Sequence, residues 1–369
     1  MSLTRKILSG IAILITLAFA AFAFAISYNA PCPTVALLPD GAAHMKAATA
    51  RCYGSPDIIR VEDIAKPVPE ADQILIKVHA ASVNPLDWRT LRGSPYLLRL
   101  GRGMGAPTPE EARLGADFAG TVEAVGANVT KFKPGDAVFG GGGGTLAQYI
   151  VKRETGAVVA KPENVTFEQA ASVNVGAMTA LQALRDHGAV QPGQKVLING
   201  ASGGVGTFAV QIAKLLGAEV TAVCSTKNIE LVRSLGADHI IDYTQADFAA
   251  ADARYDVIVD NVANRSLSDL RRVLQPNGRL VIVGGAHGNW IGPFALPLKA
   301  LILSPFVDQK MGMMIAQSTQ ADMQYLADLM AAGKLKPVID RTYPLSEVAE
   351  SLRYLETGRA RGKVVVTVE

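Results

Sequence analysis

Between residues 74 and 83 the chain sets Ile74, Ile76 and Val78 against polar neighbours, the two-residue period of a half-buried strand. Short strands and turns of this kind run from 45 to about 168. Lys133-Pro134-Gly135-Asp136 marks one turn, and the five glycines at 140–144 read as a mobile loop. Thr166-Phe167-Glu168-Gln169 then has the spacing of a capping box and starts a helix. Beyond it the pattern changes to unbroken apolar runs, KVLING, EVTAVCS, HIIDY, DVIVDNV and RLVIVGG, separated by helical stretches. Continuous Val/Ile/Leu runs are what strands buried on both faces require, so this region predicts a parallel α/β sheet. A helix is expected from 205 to 216, and NIELVRSLG and SLSDLRRVLQPNG are expected to end as helices at Gly236 and at Pro276-Asn277-Gly278. The tail holds a helix through ADMQYLADLMAAG, then KPVID, a helix from about Glu347, and KVVVTV, and is expected to pack back on the β-rich part.

The N-terminus follows a different rule. Arg5 and Lys6 precede an apolar run to Ile26, about 20 residues, enough for one helix to cross a bilayer. A secretory signal has a shorter apolar core, although Ala23-Phe24-Ala25 has the form of a cleavage site, so an uncleaved single-pass membrane anchor is the preferred reading. Pro31, Pro33, Pro39 and Gly41 make the following segment a stiff tether to about His44. WIGPFALPLKALILSPF at 290–306 is equally apolar. Pro293, Pro297, Lys299 and Pro305 interrupt it, and it is expected to be buried strand and loop rather than a second span. The organisation expected is thus 1–44 anchor and tether, 45–168 β-rich catalytic domain, 169–312 nucleotide-binding domain, and 313–369 returning to the catalytic domain.

Composition narrows the function classes. Hydrophobic residues are 49% and charged residues 19%, and 36 Lys+Arg nearly balance 33 Asp+Glu, a globular chain and no nucleic-acid binder. Cys32, Cys52 and Cys224 are odd in number and lack a C-x-x-C pair, which argues against a disulfide framework and a four-thiolate zinc site. His44, His79, His187, His239 and His287 are scattered singly, so no metal site is expected.

The most informative stretch is KVLINGASGGVG at 195–206: a buried strand, a glycine turn, then a helix. Glycines allow close backbone approach, and the free amides and positive dipole end of the helix suit a pyrophosphate. Ser202 stands where the usual second glycine would be. About 20 residues on, an acid would select NAD through the ribose 2′-hydroxyl. Here Ser225, Thr226 and Lys227 follow Cys224, and hydroxyls with an ammonium favour the 2′-phosphate of NADP(H).

With AASVNPLDWRTLRG at 80–93, GADFAGTVEAVG at 115–126, KPGDAVFG at 133–140, AMTALQAL at 177–184, CSTKN, LGADHIIDY and GRARGKVVV, the chain from 45 to 369 resembles the medium-chain dehydrogenase/reductase superfamily, in its zinc-free, quinone oxidoreductase-like branch. The resemblance implies an α/β protein: a GroES-like β-rich catalytic domain split between the two ends of the body, and a Rossmann domain with a doubly wound parallel sheet between them. The N-terminal hydrophobic helix precedes both. The active site would be the cleft between domains. Zinc-using relatives carry ligands near Asn84, at Gly115-Ala116-Asp117 and in 171–176, where this sequence has no Cys or His. The resemblance therefore implies reduction of a small hydrophobic electrophile, a quinone or an α,β-unsaturated carbonyl, with NADPH as hydride source.

Carried over position by position, Asn84 is the catalytic candidate, facing the nicotinamide or substrate carbonyl, and Thr179 lies on the nicotinamide side. Ser202, Gly203, Gly204 and Val205 would hold the pyrophosphate, paired by Lys363. Ser225, Thr226 and Lys227 would hold the 2′-phosphate, Tyr243 the adenine, and Val262 and Gly284 the nicotinamide end. Asp87 is expected to orient its loop and cap amides rather than move a proton. A competing reading is a non-catalytic NADPH-binding scaffold at a membrane. Oligomeric state is left open, a homodimer being common among related folds. Sidedness is left open too: Arg5 and Lys6 favour a cytoplasmic N-terminus with the body across the membrane, whereas NADPH is a cytoplasmic reagent.

Overall fold

A computed structural model describes residues 3–33, 41, 43–109, 112–250, 252–285 and 288–368. Pro39 of the expected tether and His287 lie outside these residues.

The apolar runs form a six-stranded parallel sheet in the order His239–Asp242, Glu219–Cys224, Lys195–Asn199, Tyr255–Asp260, Leu274–Ile282, Lys310–Met313. Chain order reverses direction across the neighbouring strands Lys195–Asn199 and Tyr255–Asp260. That is the switch point where an open α/β sheet leaves a crevice at its carboxyl edge. Side chains such as Val196, Ile198, Val220, Ala222, Val257 and Val259 are buried, and helices cover the sheet faces. Gly206–Leu215 is the helix that follows the glycine turn.

The second sheet is seven-stranded and mostly antiparallel: Ile339–Pro344, Lys363–Thr367, Gln73–Val83, Asp117–Val125, Ala137–Gly141 and Val158–Ala160, with Tyr149–Arg153 paired to Gln73–Val83. Val364 lies opposite Val83, so the C-terminal strand closes onto the N-terminal part of the same domain. Thr166 caps Phe167–Ala170 with Gln169 completing the box, as its spacing predicted.

Several expectations change. Gln73–Val83 is half-buried only at scattered positions: from Ala80 to Val83 every residue is buried, because helix Phe167–Ala170 covers a face that the alternation had assigned to solvent. Gly140 and Gly141 are buried strand rather than loop. A Cβ at Gly140 would stand 2.0 Å from the Ala157 carbonyl oxygen, and one at Gly141 would stand 2.1 Å from Asn174 Nδ2. The helix in SLSDLRRVLQPNG is Leu267–Arg272, and LQPNG already belongs to the next strand. Residues 290–306 are not strand: Gly292–Leu303 is a helix whose Leu298, Leu301 and Ile302 are exposed.

The largest revision is at the N-terminus. Leu3–Ser27 is one helix, and its stretch Ile7–Ser27 is long and apolar enough to cross a membrane. The chain after it is not a free tether. Ile26 is fully buried, Ala30 N donates to Gly105 O at 2.8 Å, and Cys32 is disulfide-bonded to Cys52, against the expectation drawn from cysteine count. Cysteine arithmetic fails here because a single bridge needs only two thiols brought together by the fold, and leaves Cys224 buried and free.

Candidate active site

The turn after Lys195–Asn199 needs its glycines for specific reasons. Gly200 has φ +78°, and a Cβ on Gly206 would sit 2.1 Å from the Gly200 carbonyl oxygen. Gly203 is different: a Cβ there would meet only Gly200 O at 3.5 Å, so the space above it is open. Directly beyond begins helix Gly206–Leu215, with its unpaired amides and positive dipole end. An open glycine face backed by amides is a cradle for a phosphate, and the residues present fit a nicotinamide dinucleotide.

The β-rich domain brings its own chemistry to this turn. Gly362 N donates to Ser202 O at 2.9 Å, and the Lys363 stem lies against Gly204, where a Cβ would be 3.3 Å from its Cδ. The Lys363 ammonium is buried, donates to Asn84 Oδ1, and lies 3.1 Å from Asp117 Oδ2. Asn84 Nδ2 donates to Asp117 Oδ2 at 3.0 Å and makes a longer contact, 3.4 Å, with Ser82 O. Asp117 also accepts from Ser82 Oγ at 2.6 Å, Asn174 Nδ2 at 3.2 Å and Val175 N at 2.8 Å. Asn84, Asp117 and Lys363 are thus one interlocked buried cluster against the glycine turn. Lys363 was expected to meet pyrophosphate. In the structure its charge faces Asn84 and Asp117 while its stem lines the turn.

Asp117 is the residue that sequence reasoning missed. It was read only as a place without a zinc ligand, and the signal was its position, an acid opening a strand whose next five residues are apolar or small. Asn228 was missed too. Its Nδ2 donates to Ser202 Oγ at 2.8 Å and Ser225 Oγ at 3.3 Å, tying two expected cofactor residues together, and its Oδ1 is buried with no partner among the described residues.

The remaining expected residues fall along the carboxyl edge of the parallel sheet. Thr179 is one helical turn past Gly176, whose added Cβ would stand 2.7 Å from Gly204 O, so this helix abuts the turn. Ser225, Thr226 and Lys227 follow the second strand, with Ser225 buried and Lys227 exposed. Thr226 Oγ1 donates to Asp242 Oδ2 at 2.5 Å, a bond that holds the Asp242 carboxyl below its ordinary value. Tyr243, half-exposed, follows the third strand, its amide on Cys224 O. Val262 and Gly284 follow the fourth and fifth strands, with a Cβ at Gly284 only 2.1 Å from Asn261 O. Asp260 Oδ1 fixes this end by accepting from Val262 N at 3.1 Å and from Ala263 N at 2.9 Å, where Ala263 is held at φ +57°.

Asp87 takes the supporting part expected of it, accepting from Asn84 N at 2.6 Å and Gly115 N at 3.1 Å. Burial pushes its pKa up to about 7, with the Asp117 charge adding to the rise and the two amides opposing it. Between about pH 4 and pH 7 the folded protein therefore keeps a proton that the unfolded chain has released. Raising pH across that window lowers stability, by up to about 4 kcal/mol, and the loss levels off above it. Asp87→Asn should flatten this slope in urea unfolding at a series of pH values; a variant with the wild-type slope would show that Asp87 is ionised throughout.

Helix Pro85–Arg92, which starts just after Asn84, and the residues that follow it are tied to the chain beyond Gly284. Arg89 Nη2 donates to Gly285 O at 3.1 Å, Ser94 Oγ to Asn289 Oδ1 at 2.8 Å, and Tyr96 N to Asn289 O at 2.7 Å. Among the described residues no group of three or more His, Cys, Asp or Glu side chains converges as a metal site.

Comparison with known proteins agrees with this layout. Residues 70–163 match the alcohol dehydrogenase GroES-like domain family, and residues 235–366 match the family described as zinc-binding dehydrogenase. The mitochondrial NAD(P)H oxidoreductase RTN4IP1 of Mus musculus is 35% identical, over 86% of this chain and 87% of its own. The 2-methylene-furan-3-one reductase of Solanum lycopersicum is 34% identical, over 87% of this chain and 79% of its own. The structure of the quinone oxidoreductase from Coxiella burnetii superposes with a TM-score of 0.77 at 30% identity, over 89% of this chain and all of that one. The chain is an oxidoreductase that uses a nicotinamide cofactor, and it belongs to the quinone oxidoreductase-like branch of the medium-chain dehydrogenase/reductase superfamily.

Proposed function

We propose that this oxidoreductase is NADPH-dependent and reduces a quinone or an α,β-unsaturated carbonyl without zinc. The observation that carries the reading is the buried Asn84–Lys363–Asp117 cluster set against the open glycine turn. The donors of this cluster are an amide and an ammonium, which orient a carbonyl and leave the role of Lewis acid unfilled. That suits an acceptor already electrophilic. Relatives named for quinone and furanone reduction support this acceptor class.

The bound cofactor supplies the hydride, and the chain supplies position. Gly203, Gly204 and Val205 present amides to the pyrophosphate at the helix N-terminus. Asn84 is held by Lys363 and Asp117, and its long contact with Ser82 O is weak enough to exchange for a substrate carbonyl. Thr179 and Val262 line the nicotinamide end. On this reading the segments joined through Arg89, Ser94 and Tyr96 are the ones that keep water from the transfer.

For the cofactor, Ser225, Thr226 and Lys227 favour a 2′-phosphate, while Asp242, bonded to Thr226, works against it. Lys227 decides the balance as an exposed cation at the strand end. Lys227→Glu is expected to raise the NADPH dissociation constant far more than that of NADH; equal losses would overturn the 2′-phosphate assignment.

The second reading, a scaffold that holds nucleotide without turnover, is favoured by one observation. The Cys32–Cys52 disulfide suits an oxidising compartment, and Arg5 and Lys6 bias the N-terminus toward the cytoplasm, so both favour a body across a membrane from the cytoplasmic NADPH pool. On this topology, alkylation of intact cells leaves Cys32 and Cys52 unlabelled until a reductant is added; two free thiols in situ would return the body to the cytoplasm.

A further inference from the structure

The end of the N-terminal helix is held by one side chain. Arg99 is 1% exposed and makes five hydrogen bonds, from Nε to Gly93 O at 2.8 Å, from Nη1 to Ile26 O at 3.1 Å and Tyr28 O at 3.0 Å, and from Nη2 to Asn29 Oδ1 at 2.9 Å and Arg92 O at 3.2 Å. Its guanidinium also lies over the rings of Tyr53, at 4.2 Å, and Tyr96, at 4.6 Å. None of these partners is a carboxylate. The charge is balanced by carbonyl oxygens at the negative end of the helix dipole and by two aromatic faces. The disulfide from Cys32 to Cys52, beside Tyr53, adds a covalent clasp to the same joint. A helix fixed this way cannot swing freely relative to the body.

What surrounds the joint is apolar and exposed. Leu97 and Leu100 flank Arg99 and are 42% and 58% exposed, and Met104, next to the Gly105 that bonds Ala30, is 61% exposed. Tyr96 carries the surface onward, since its ring packs edge-on against Trp290 at 5.0 Å, and Trp290 and Ile291 are 42% and 64% exposed. Neither 93–108 nor 283–307 contains a single Asp or Glu, although the chain has 33. Both segments lie next in the chain to site residues, 93–108 after the helix that follows Asn84 and 283–307 after the strand that ends at Ile282. An acid-free apolar collar around the foot of an apolar helix has one natural occupant, a lipid bilayer with anionic headgroups.

We infer that the collar of Leu97, Leu100, Met104, Trp290 and Ile291 seats the body on the bilayer surface, held in one orientation by the Arg99 joint, so that a lipophilic acceptor reaches the cleft from the lipid. The inference rests on the single-pass anchor expected of the N-terminal helix, whose Ile7–Ser27 is long and apolar enough to cross a membrane. It adds that the membrane touches the substrate loops themselves, and so narrows the acceptor to one that partitions into lipid.

The test reads contact rather than activity. The chain has two tryptophans, so Trp88→Phe leaves Trp290 as the sole reporter, and Trp290→Phe in the otherwise native chain gives the same information by subtraction should the first variant misfold. The full chain is reconstituted in phosphatidylcholine–phosphatidylglycerol vesicles with or without brominated acyl chains. Seating predicts that Trp290 loses most of its emission in brominated vesicles and is protected from aqueous iodide. Arg99→Met, or reduction of Cys32–Cys52, should return it to iodide while the protein still floats with the vesicles. Quenching by iodide and not by bromine would overturn the proposal, because the body would then stand clear of the membrane. Protection from both quenchers would overturn it in favour of a second copy or another protein covering the collar. Failure to float with vesicles would overturn the spanning reading and the seating with it. NADPH turnover measured on the same samples separates the two readings: an active enzyme without bromine quenching loses only the seating, and a seated protein without turnover loses only the reductase.

Discussion

Asp117→Asn is expected to cost the fold about 3–5 kcal/mol, the range for removing one partner of a buried ion pair. Lys363 is 3% exposed and Asp117 not at all, and among the described residues the other group that the ammonium is bonded to is the neutral oxygen of Asn84. The amide that replaces the carboxylate would also present two donors where Ser82, Asn84, Asn174 and Val175 all donate. Urea unfolding of the variant reads this loss directly. Asp117→Asn combined with Lys363→Met should recover part of it, because the buried charge goes with its partner. A loss below about 1 kcal/mol for the single variant would mean that water already reaches the pair.

Gly203→Ala should weaken cofactor binding on the order of 100-fold, about 2.7 kcal/mol, and leave stability almost unchanged. The reasoning is geometric. The added methyl meets only Gly200 O at 3.5 Å, ordinary contact, and Gly203 is not in the left-handed region, so the fold accepts it. It nonetheless fills the face across which a pyrophosphate must approach the amides. Gly206→Ala is the contrasting case, since its Cβ would press to 2.1 Å from a backbone oxygen and should destabilise the turn itself. Titration of NADPH fluorescence with a parallel melting curve separates binding from folding. Unchanged affinity in Gly203→Ala would remove the phosphate from this turn.

The features legible in the sequence were those that local rules determine. Strands buried on both faces must be continuous apolar runs, and glycines mark a tight turn between strand and helix, so the parallel sheet and the strand–turn–helix at 195–215 were readable from spacing alone. Asn84 was singled out through the resemblance, and the structure buries it against Lys363 and Asp117. The features that were not legible depend on partners far along the chain. Asp117 acquires its role from Lys363, 246 residues away, and Arg99 from carbonyls at and just past the end of the N-terminal helix, more than 70 residues earlier. The Cys32–Cys52 bridge depends on the same docking. In 290–306 the difficulty was local: an apolar run has no period that separates strand from helix. Pro293 sits in the first turn of Gly292–Leu303, where a missing N–H costs nothing, and so does not break the helix it was taken to interrupt.

The central claim is a hydride transfer organised by Asn84 beside the glycine turn, and the direct measurement is NADPH oxidation by the full chain in detergent with a quinone, an enone and a simple aldehyde offered in parallel. The account predicts turnover with the quinone or the enone, little with the aldehyde, and loss of turnover in Asn84→Ala with NADPH still bound. Tight NADPH binding with no turnover on any acceptor would contradict it and leave the scaffold reading in its place.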